Sequence, residues 1–446
     1  MQVGKRSVTV KRAIAAAALL SAASLPSPAM AADRAEAARM ADAVAADTDR
    51  NLALLERLVA QNSGTLNLPG VRAVGNLMRK ELEPLGFTVR WVDMAATARA
   101  GHLIATHPGK GHSRKRVLLI GHLDTVFEPS SPFQRFVRNG DRATGPGTID
   151  DKGGLVVIVA ALRAMKVAGT LDRADITIVL TGDEERPGQP TATARADLIA
   201  AGKRADAALE YEPIASEGGR DYGTVARRSG SAWELRVTGR TGHSSGVFGG
   251  VGYGAIYEAA RILDTFRRTL IEPDATFNVG LIAGGTPAAI DATGSNVTAS
   301  GKTNIIASTA IARGDLRTLT PVQDTKLRDA MAAIVADHLP GTTATLSFYD
   351  STPALAPSDG NRALLATLNV VNRELGLPEM PEFDPAKRGA ADSGFVSADV
   401  ATLGGLGASG GGAHGNDEWI DLTSLPRQAL RNAAFITRLA REKRQK

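Results

Sequence analysis

A chain of 446 residues that is 43% hydrophobic can bury sizeable cores, and its length suggests two or three domains. It has no cysteine, which excludes disulfides and requires that any metal site be built from His, Asp and Glu. The formal charge of +5 and pI near 9.4 would suggest an acidic partner, but four of the basic residues belong to a predicted leader.

That leader occupies residues 1–31. Lys5, Arg6, Lys11 and Arg12 precede an apolar run from Ala13 to Leu25, and Ala29-Met30-Ala31 forms a small-x-small cleavage site. Its removal takes away four basic residues and no acidic one, so the formal charge falls from +5 to +1. Nucleic acid and membrane surfaces are therefore not expected partners. The run is shorter than the roughly 20 apolar residues a membrane span needs, and no later segment is long and apolar enough. The expectation is an exported protein, periplasmic or secreted.

In chain order, Leu52, Leu55, Leu58 and Val59 mark an amphipathic helix, and a second is predicted over 71–85. Strands follow at 88–92 and 117–120. The segment "ATGPGTIDDKGG" leads into an apolar helix at 154–168. A strand at 176–182, a helix near 191–201 and the strand "AALEYEP" at 207–213 come next. Strands alternating with helices indicate an α/β unit with a mostly parallel sheet covered by helices on both faces. Around Tyr222 the pattern becomes the apolar–polar alternation of half-exposed antiparallel strands, with helices at 253–269 and 321–337. Residues 222–347 thus read as an inserted α+β domain, dividing the larger unit into 32–221 and 348–446. The glycine-rich "GGLGASGGGAHGNDEWI" runs into His414 and reads as a site loop.

Functional groups in a parallel α/β sheet gather at the carboxyl ends of the strands. His122 with Asp124, Asp150 with Asp151, Glu184 with Glu185, and Glu212 all fall at such ends. Taken singly each has an ordinary explanation, since an Asp after a strand commonly caps the next helix and "DEE" reads equally as a solvated turn. Converging on one sheet edge, these carboxylates would repel strongly unless cations neutralised them. His and carboxylate donors without thiolate suit zinc, and also cobalt or manganese. Of adjacent Glu184 and Glu185, one can bind metal while the other takes a proton from water. Asp124 lies two residues beyond His122, on the same face of a continuing strand, where it can orient the ring.

"GHLDTVF", "GPGTIDDKGG", "TGDEE", "YEP" and "AHGNDEW" occur in the order seen in the glutamate carboxypeptidase, aminoacylase and desuccinylase family of two-zinc metallopeptidases. The mature chain resembles that family over essentially its whole length, most of all the bacterial glutamate carboxypeptidase branch. The resemblance implies two zinc ions per subunit, with His122 and Glu212 on one, Glu185 and His414 on the other, and Asp150 bridging. Asp151 is not implied as a ligand. Glu184 is implied as the general base, and Asp124 as the residue orienting His122. The family's insert forms a lid and a homodimer interface. Within it "GRTGHSSG" places His243 where the family has a histidine that reaches the partner's site and stabilises the oxyanion. "TNIIAS" and "GDLR" place Asn304 and Arg317 where the family holds substrate and its carboxylate, and "RGAADSG" places Asp392 and Ser393 at the substrate loop or in a turn.

The chain departs from the family at Ala307, commonly a Pro, and at Thr352-Pro353, where the glutamate carboxypeptidase branch often has an Arg before "PA". The implied activity is hydrolysis of an amide bond beside a free C-terminal carboxylate, in a small peptide or N-acyl amino acid. The alternatives are an N-acyl-amino-acid amidohydrolase or dipeptidase and, from another class, a catalytically silent solute-binding protein. The "GPGTIDDKGG" loop matches no phosphate-binding fingerprint, and its Asp pair would repel phosphate. His102, His107, His112 and His338 carry no predicted role, and His107 and His112 fall in a predicted hairpin turn.

Overall fold

The computed structural model describes residues 1, 28–110, 114–291 and 294–444. The predicted leader falls outside the described residues, apart from Met1 and the first residues of the helix Pro28–Ala46. Among the described residues no helix is long and apolar enough to cross a membrane.

The larger unit is built on a six-stranded sheet. Its spatial order is Thr88–Met94, Arg99–His107, Asp175–Thr181, Arg116–His122, Ala207–Glu210 and Thr402–Leu403. The first two pairings are antiparallel and the remaining three parallel. Successive side chains on a strand face opposite ways, and here each set meets its own core. Val117 and Leu119 join the cluster under the helices Lys152–Ala168 and Ser424–Arg441, while Leu118 and Ile120 pack with Leu198, Ala201 and Val396 on the other face. Truncating a side chain as fully buried as Leu118 costs about 2–5 kcal/mol. Lys152–Ala168 is apolar on nearly every side because it lies between the sheet and other helices.

The pattern at 99–107 does not advertise a strand, since His102 and Thr106 interrupt its apolar run. Both histidines there are buried with satisfied rings. His102 Nε2 lies 2.7 Å from the Ala194 carbonyl, and His107 Nδ1 lies 3.0 Å from that of Ala174. His107 therefore ends a strand and is not part of the predicted hairpin turn. His112 lies outside the described residues.

A second, smaller unit is antiparallel throughout. Gly230–Gly239 pairs with both Thr309–Arg317 and Thr342–Thr352, and Leu281–Gly285 adds an edge. Trp233, Leu235 and Val237 face the helices Gly254–Thr269 and Pro321–Ala336, and the Trp233 ring meets Phe266 edge-on at 6.2 Å. A hairpin, Ala288–Ile290 with Val297–Ala299, stands beside that edge strand.

A third sheet places the candidate site. Arg142–Thr144 pairs with Trp419–Asp421, which pairs back to Gly410–Gly411. The loop from Gly145 to Asp150 and the turn bearing His414 therefore leave adjacent strands and are held side by side.

Candidate metal centre

The register of the parallel strands explains why the site forms. His122 stands opposite Thr181, and Ile120 opposite Glu210, so the three strands end at nearly one level. The residues just beyond each strand then project over the same edge: Asp124 after the first, Glu184 and Glu185 after the second, Glu212 after the third. The helix Lys152–Ala168 starts beside them and brings Asp150 to the cluster.

Two donor groups result. One contains His122, Asp150 and Glu212, the other Asp150, Glu185 and His414, and within each the donor atoms lie within 4.8 Å of one another. Asp150 is common to both. Its Oδ1 is 2.9 Å from His122 Nε2, and its Oδ2 is 3.3 Å from His414 Nε2. His414 Nε2 is also 3.1 Å from Glu185 Oε2. The two groups differ in exposure: the His122 side chain is 2% exposed and that of His414 56%. His414 has φ of 68°, in the left-handed region, which costs a residue with a Cβ about 1–2 kcal/mol. The turn tolerates that strain and thereby aims the ring at the cluster.

His122 is fixed through its other nitrogen. Nδ1 lies 3.1 Å from the main-chain carbonyl of Asp124 and 3.4 Å from its Oδ1. The Asp124 carboxylate is itself fully committed. It accepts the Thr65 hydroxyl at 2.6 Å and the backbone N–H groups of Glu184 and Glu185 at 3.0 and 3.2 Å. Asp124 thus orients the histidine partly through its backbone, and its side chain binds the turn that carries both glutamates. Asp151 belongs to neither donor group. It is buried, and its Oδ2 accepts the backbone N–H of His122 at 3.2 Å.

The charge state of the cluster calls for cations. Burial, reinforced by Glu212, pushes the Glu184 carboxyl well above the usual range, and burial raises Glu212 to about 8. Against the push of burial, the two imidazoles hold Asp150 below its ordinary value. Hydrogen bonds that His414 donates to Asp150 and Glu185 lift it to about 11, and His122 is raised despite its burial. The imidazoles are thus driven to hold protons where cations would supply the charge. Glu185 Oε1 is buried without a hydrogen-bond partner, as expected of an oxygen shaped for a metal ion. The donor sets and this orphaned atom fit two divalent ions sharing Asp150.

Two residues that hold this geometry, Arg227 and Glu418, carry no role in the sequence reading. The buried Arg227 donates Nη2 to both oxygens of Glu210, at 3.0 and 3.1 Å, and Nη1 approaches Glu212 Oε2 at 2.8 Å. Its fork thereby orients a donor from fifteen residues away. Glu418 is buried four residues beyond His414. It accepts the N–H groups of Gly147, Ile149 and Asp150 at 3.2, 2.9 and 3.3 Å, tying the Asp150 loop to the His414 turn. Its place inside "AHGNDEW" was the available signal. Arg227 follows no recognisable motif.

His243, Asn304 and Arg317 stand apart. His243 is exposed, its Nδ1 2.8 Å from Ser245 Oγ, and the Ser244 N–H reaches the Asn304 carbonyl at 3.0 Å. Arg317 Nε is 2.9 Å from Asp315 Oδ2. These contacts lie within the smaller unit and do not reach the metal-binding groups. Asp392 is not free to meet a substrate. Arg195 Nε holds its Oδ1 at 2.7 Å, Thr181 donates to its Oδ2 at 2.6 Å, and Arg195 also grips Asp183. Ser393 is buried beside it.

Comparison with known proteins agrees with this arrangement. The family description "Peptidase family M20/M25/M40" matches residues 118–438. Carboxypeptidase G2 of Pseudomonas sp. (strain RS-16) is 27% identical over 403 residues, covering 88% of this chain and 90% of its own length. A succinyl-diaminopimelate desuccinylase of Leptothrix cholodnii is 31% identical over 201 residues, 43% of this chain and 51% of that relative. In fold, the aminopeptidase PepT of Bacillus cereus superposes with a TM-score of 0.69 at 21% identity, covering 88% of this chain and 99% of its own. The YXEP protein of Bacillus subtilis, a dinuclear metal binding peptidase, superposes at 0.62 and 14% identity over 89% and 98%.

Proposed function

The chain belongs to peptidase family M20/M25/M40, and on that premise we propose that this metallohydrolase is an exported carboxypeptidase. It would cleave an amide or peptide bond beside a free C-terminal carboxylate, with a glutamate-type substrate as the leading choice. The observation that carries the reading is the pair of donor groups sharing Asp150, with the half-buried Glu184 directly before the donor Glu185.

Two divalent ions, zinc by the chemistry of the donors and cobalt or manganese as substitutes, would polarise the scissile carbonyl and acidify the attacking water. Glu184 takes the water's proton and passes it to the leaving amine, as its raised carboxyl pKa suits. Asp124 keeps His122 and the glutamate turn in register. His243 donates to the developing oxyanion from a neighbouring subunit, and Asn304 and Arg317 approach the substrate from the smaller unit. A homodimer through that unit is supported by its exposed apolar side chains. Ile256 and Tyr257 lie on the helix Gly254–Thr269, Phe248 packs against Tyr257, and Ile282 lies on the edge strand.

The desuccinylase relatives and the missing Arg beside Pro353 favour a second reading, an N-acyl-amino-acid amidohydrolase or dipeptidase with the same metal chemistry. Release of free amino acid from a panel of N-acyl amino acids and dipeptides, with C-terminal amides as controls, tests both. Chelator-sensitive cleavage confined to free carboxylates is expected. Cleavage that survives chelation, or no turnover on any member, would end the proposal.

A further inference from the structure

The turn that carries Glu184 is gripped residue by residue by side chains from distant parts of the chain. Gly182 donates its N–H to His102 Nδ1 at 3.1 Å. The Asp183 carbonyl accepts from Arg195 Nη2 at 3.1 Å, and the next two N–H groups, of Glu184 and Glu185, go to Asp124. The peptide joining Asp183 to Glu184 is thus held at both ends, its C=O by an arginine and its N–H by a carboxylate. Asp183 also closes the loop beyond the glutamates, its Oδ2 accepting the Gly188 N–H at 2.7 Å.

Arg195 does more than hold that one carbonyl. It lies between the short helix Thr191–Ala194 and the helix Ala196–Arg204, fully buried. Its Nη1 donates to Asp183 Oδ1 at 2.5 Å and its Nε to Asp392 Oδ1 at 2.7 Å. The preceding carbonyl, of Ala194, is 2.7 Å from Nε2 of the same His102 that receives the Gly182 N–H. Two carboxylates therefore share one guanidinium away from water. Burying such a triad costs desolvation that apolar side chains of equal volume would not incur, so it is a weak source of stability. What it supplies is geometry. A rigid planar fork sets the Asp183 side chain, the Asp183 carbonyl and the loop of Asp392 in one fixed relation, which a flexible ammonium cannot do.

We propose that Arg195 is a positioning residue for Glu184: by fixing the Asp183–Glu184 peptide it aims the carboxylate that takes the proton. The proposal rests on the function proposed above. Its test uses the metal-loaded full chain and the panel substrate that the wild type cleaves fastest, N-benzoyl-glutamate being the leading choice. Arg195→Lys keeps the charge without the fork and should lower kcat about 10–100-fold, the effect of misplacing a reacting group by about 1 Å. KM and metal content by elemental analysis should change little. Should that variant fail to fold, the uncharged combination Asp183→Asn, Arg195→Met and Asp392→Asn keeps the volume and should show the same loss. Arg431→Lys is the control, an equally buried arginine whose partners are Asp221, Gln428 and Asn372, and it should lower only the melting temperature.

The decisive readout is Arg195→Lys combined with Glu184→Gln. With the base gone its aim no longer matters, so the double variant should be no slower than Glu184→Gln alone. The proposal is overturned, and the carboxypeptidase reading stands, on any of four results. These are wild-type kcat in the Arg195 variants, metal content falling in step with kcat, an equal kcat loss in Arg431→Lys, or losses that multiply in the double variant. Near-normal turnover of Glu184→Gln removes the base and this role with it, and an inert wild type ends both readings.

Discussion

The sheet edge of the larger unit and the exposed loops of the smaller one are built on opposite plans. At the sheet edge, the implied donors other than the exposed His414 are held by backbone register or by a buried side chain committed to them or to their loop. Arg227 holds Glu212, Asp124 holds the glutamate turn, and Glu418 holds the Asp150 loop. In the smaller unit, His243, Asn304 and Arg317 are held by neighbours close in space on the same unit, and much of their surface is exposed. Groups that must hold ions at fixed distances are made rigid. Groups proposed to meet a substrate or a partner subunit are left on the exposed surface of the smaller unit.

The sharpest way to break that contrast is at Glu184. Glu184→Gln should lose about 10²–10⁴-fold in kcat while elemental analysis still finds its metal. Near-normal turnover would remove Glu184 from the role of base. His243→Ala should lose about 10²–10³-fold in kcat with little change in metal content. If the histidine acts across a dimer, mixing and refolding this variant with Glu184→Gln should restore roughly a quarter of wild-type turnover, because half the molecules then carry one complete site. No recovery, with hybrid dimers demonstrated, would place its action within one chain.

Glu418→Gln should have a smaller effect and a different kind. The amide cannot accept three N–H groups as the carboxylate does, and metal affinity should weaken about 10–100-fold, measured by competition with a chelator. Unaltered affinity would mean that the two loops hold each other without it.

The mildest expected effect is one of pH on stability. Glu212 has a folded pKa of about 8 against an ordinary 4.5, and His414 is raised to about 11. Both folded values lie above the unfolded ones, so their stabilisation is present at low pH and is lost as pH rises. Metal-free protein should therefore melt at progressively lower temperature as pH rises from about 5 to about 8, through the Glu212 window. Metal-loaded protein should show a flatter curve. Parallel curves would mean that the carboxylates do not feel the ions.

How far the sequence spoke for itself follows the same division. His122, Glu185 and Glu212 were legible because each sits within a few residues of a parallel strand end, and such ends converge by geometry. Asp150 was expected at such an end but arrives on the loop before the helix Lys152–Ala168. It and His414 come from loops of the antiparallel third sheet, so only the motif resemblance pointed to the whole set. Arg227 was not legible, since its partners Glu210 and Glu212 lie fifteen and more residues away and no local pattern joins them. Asp392 reads from its loop as either a substrate contact or a turn residue, whereas in the structure a buried arginine about two hundred residues earlier claims its carboxylate. The strand Arg99–His107 was hidden by buried polar side chains that are satisfied by carbonyls from distant segments.

The turn that carries His414 has a consequence for how the protein is handled. One donor group closes over a histidine that solvent hardly touches, while the other depends on a ring more than half exposed and held in a strained backbone conformation. The two ions should then exchange at unequal rates, with the one on the His414 side leaving first. Dialysis against a mild chelator would pass through a form with a single ion, and activity assayed after such purification would report the fraction reloaded as well as the enzyme itself.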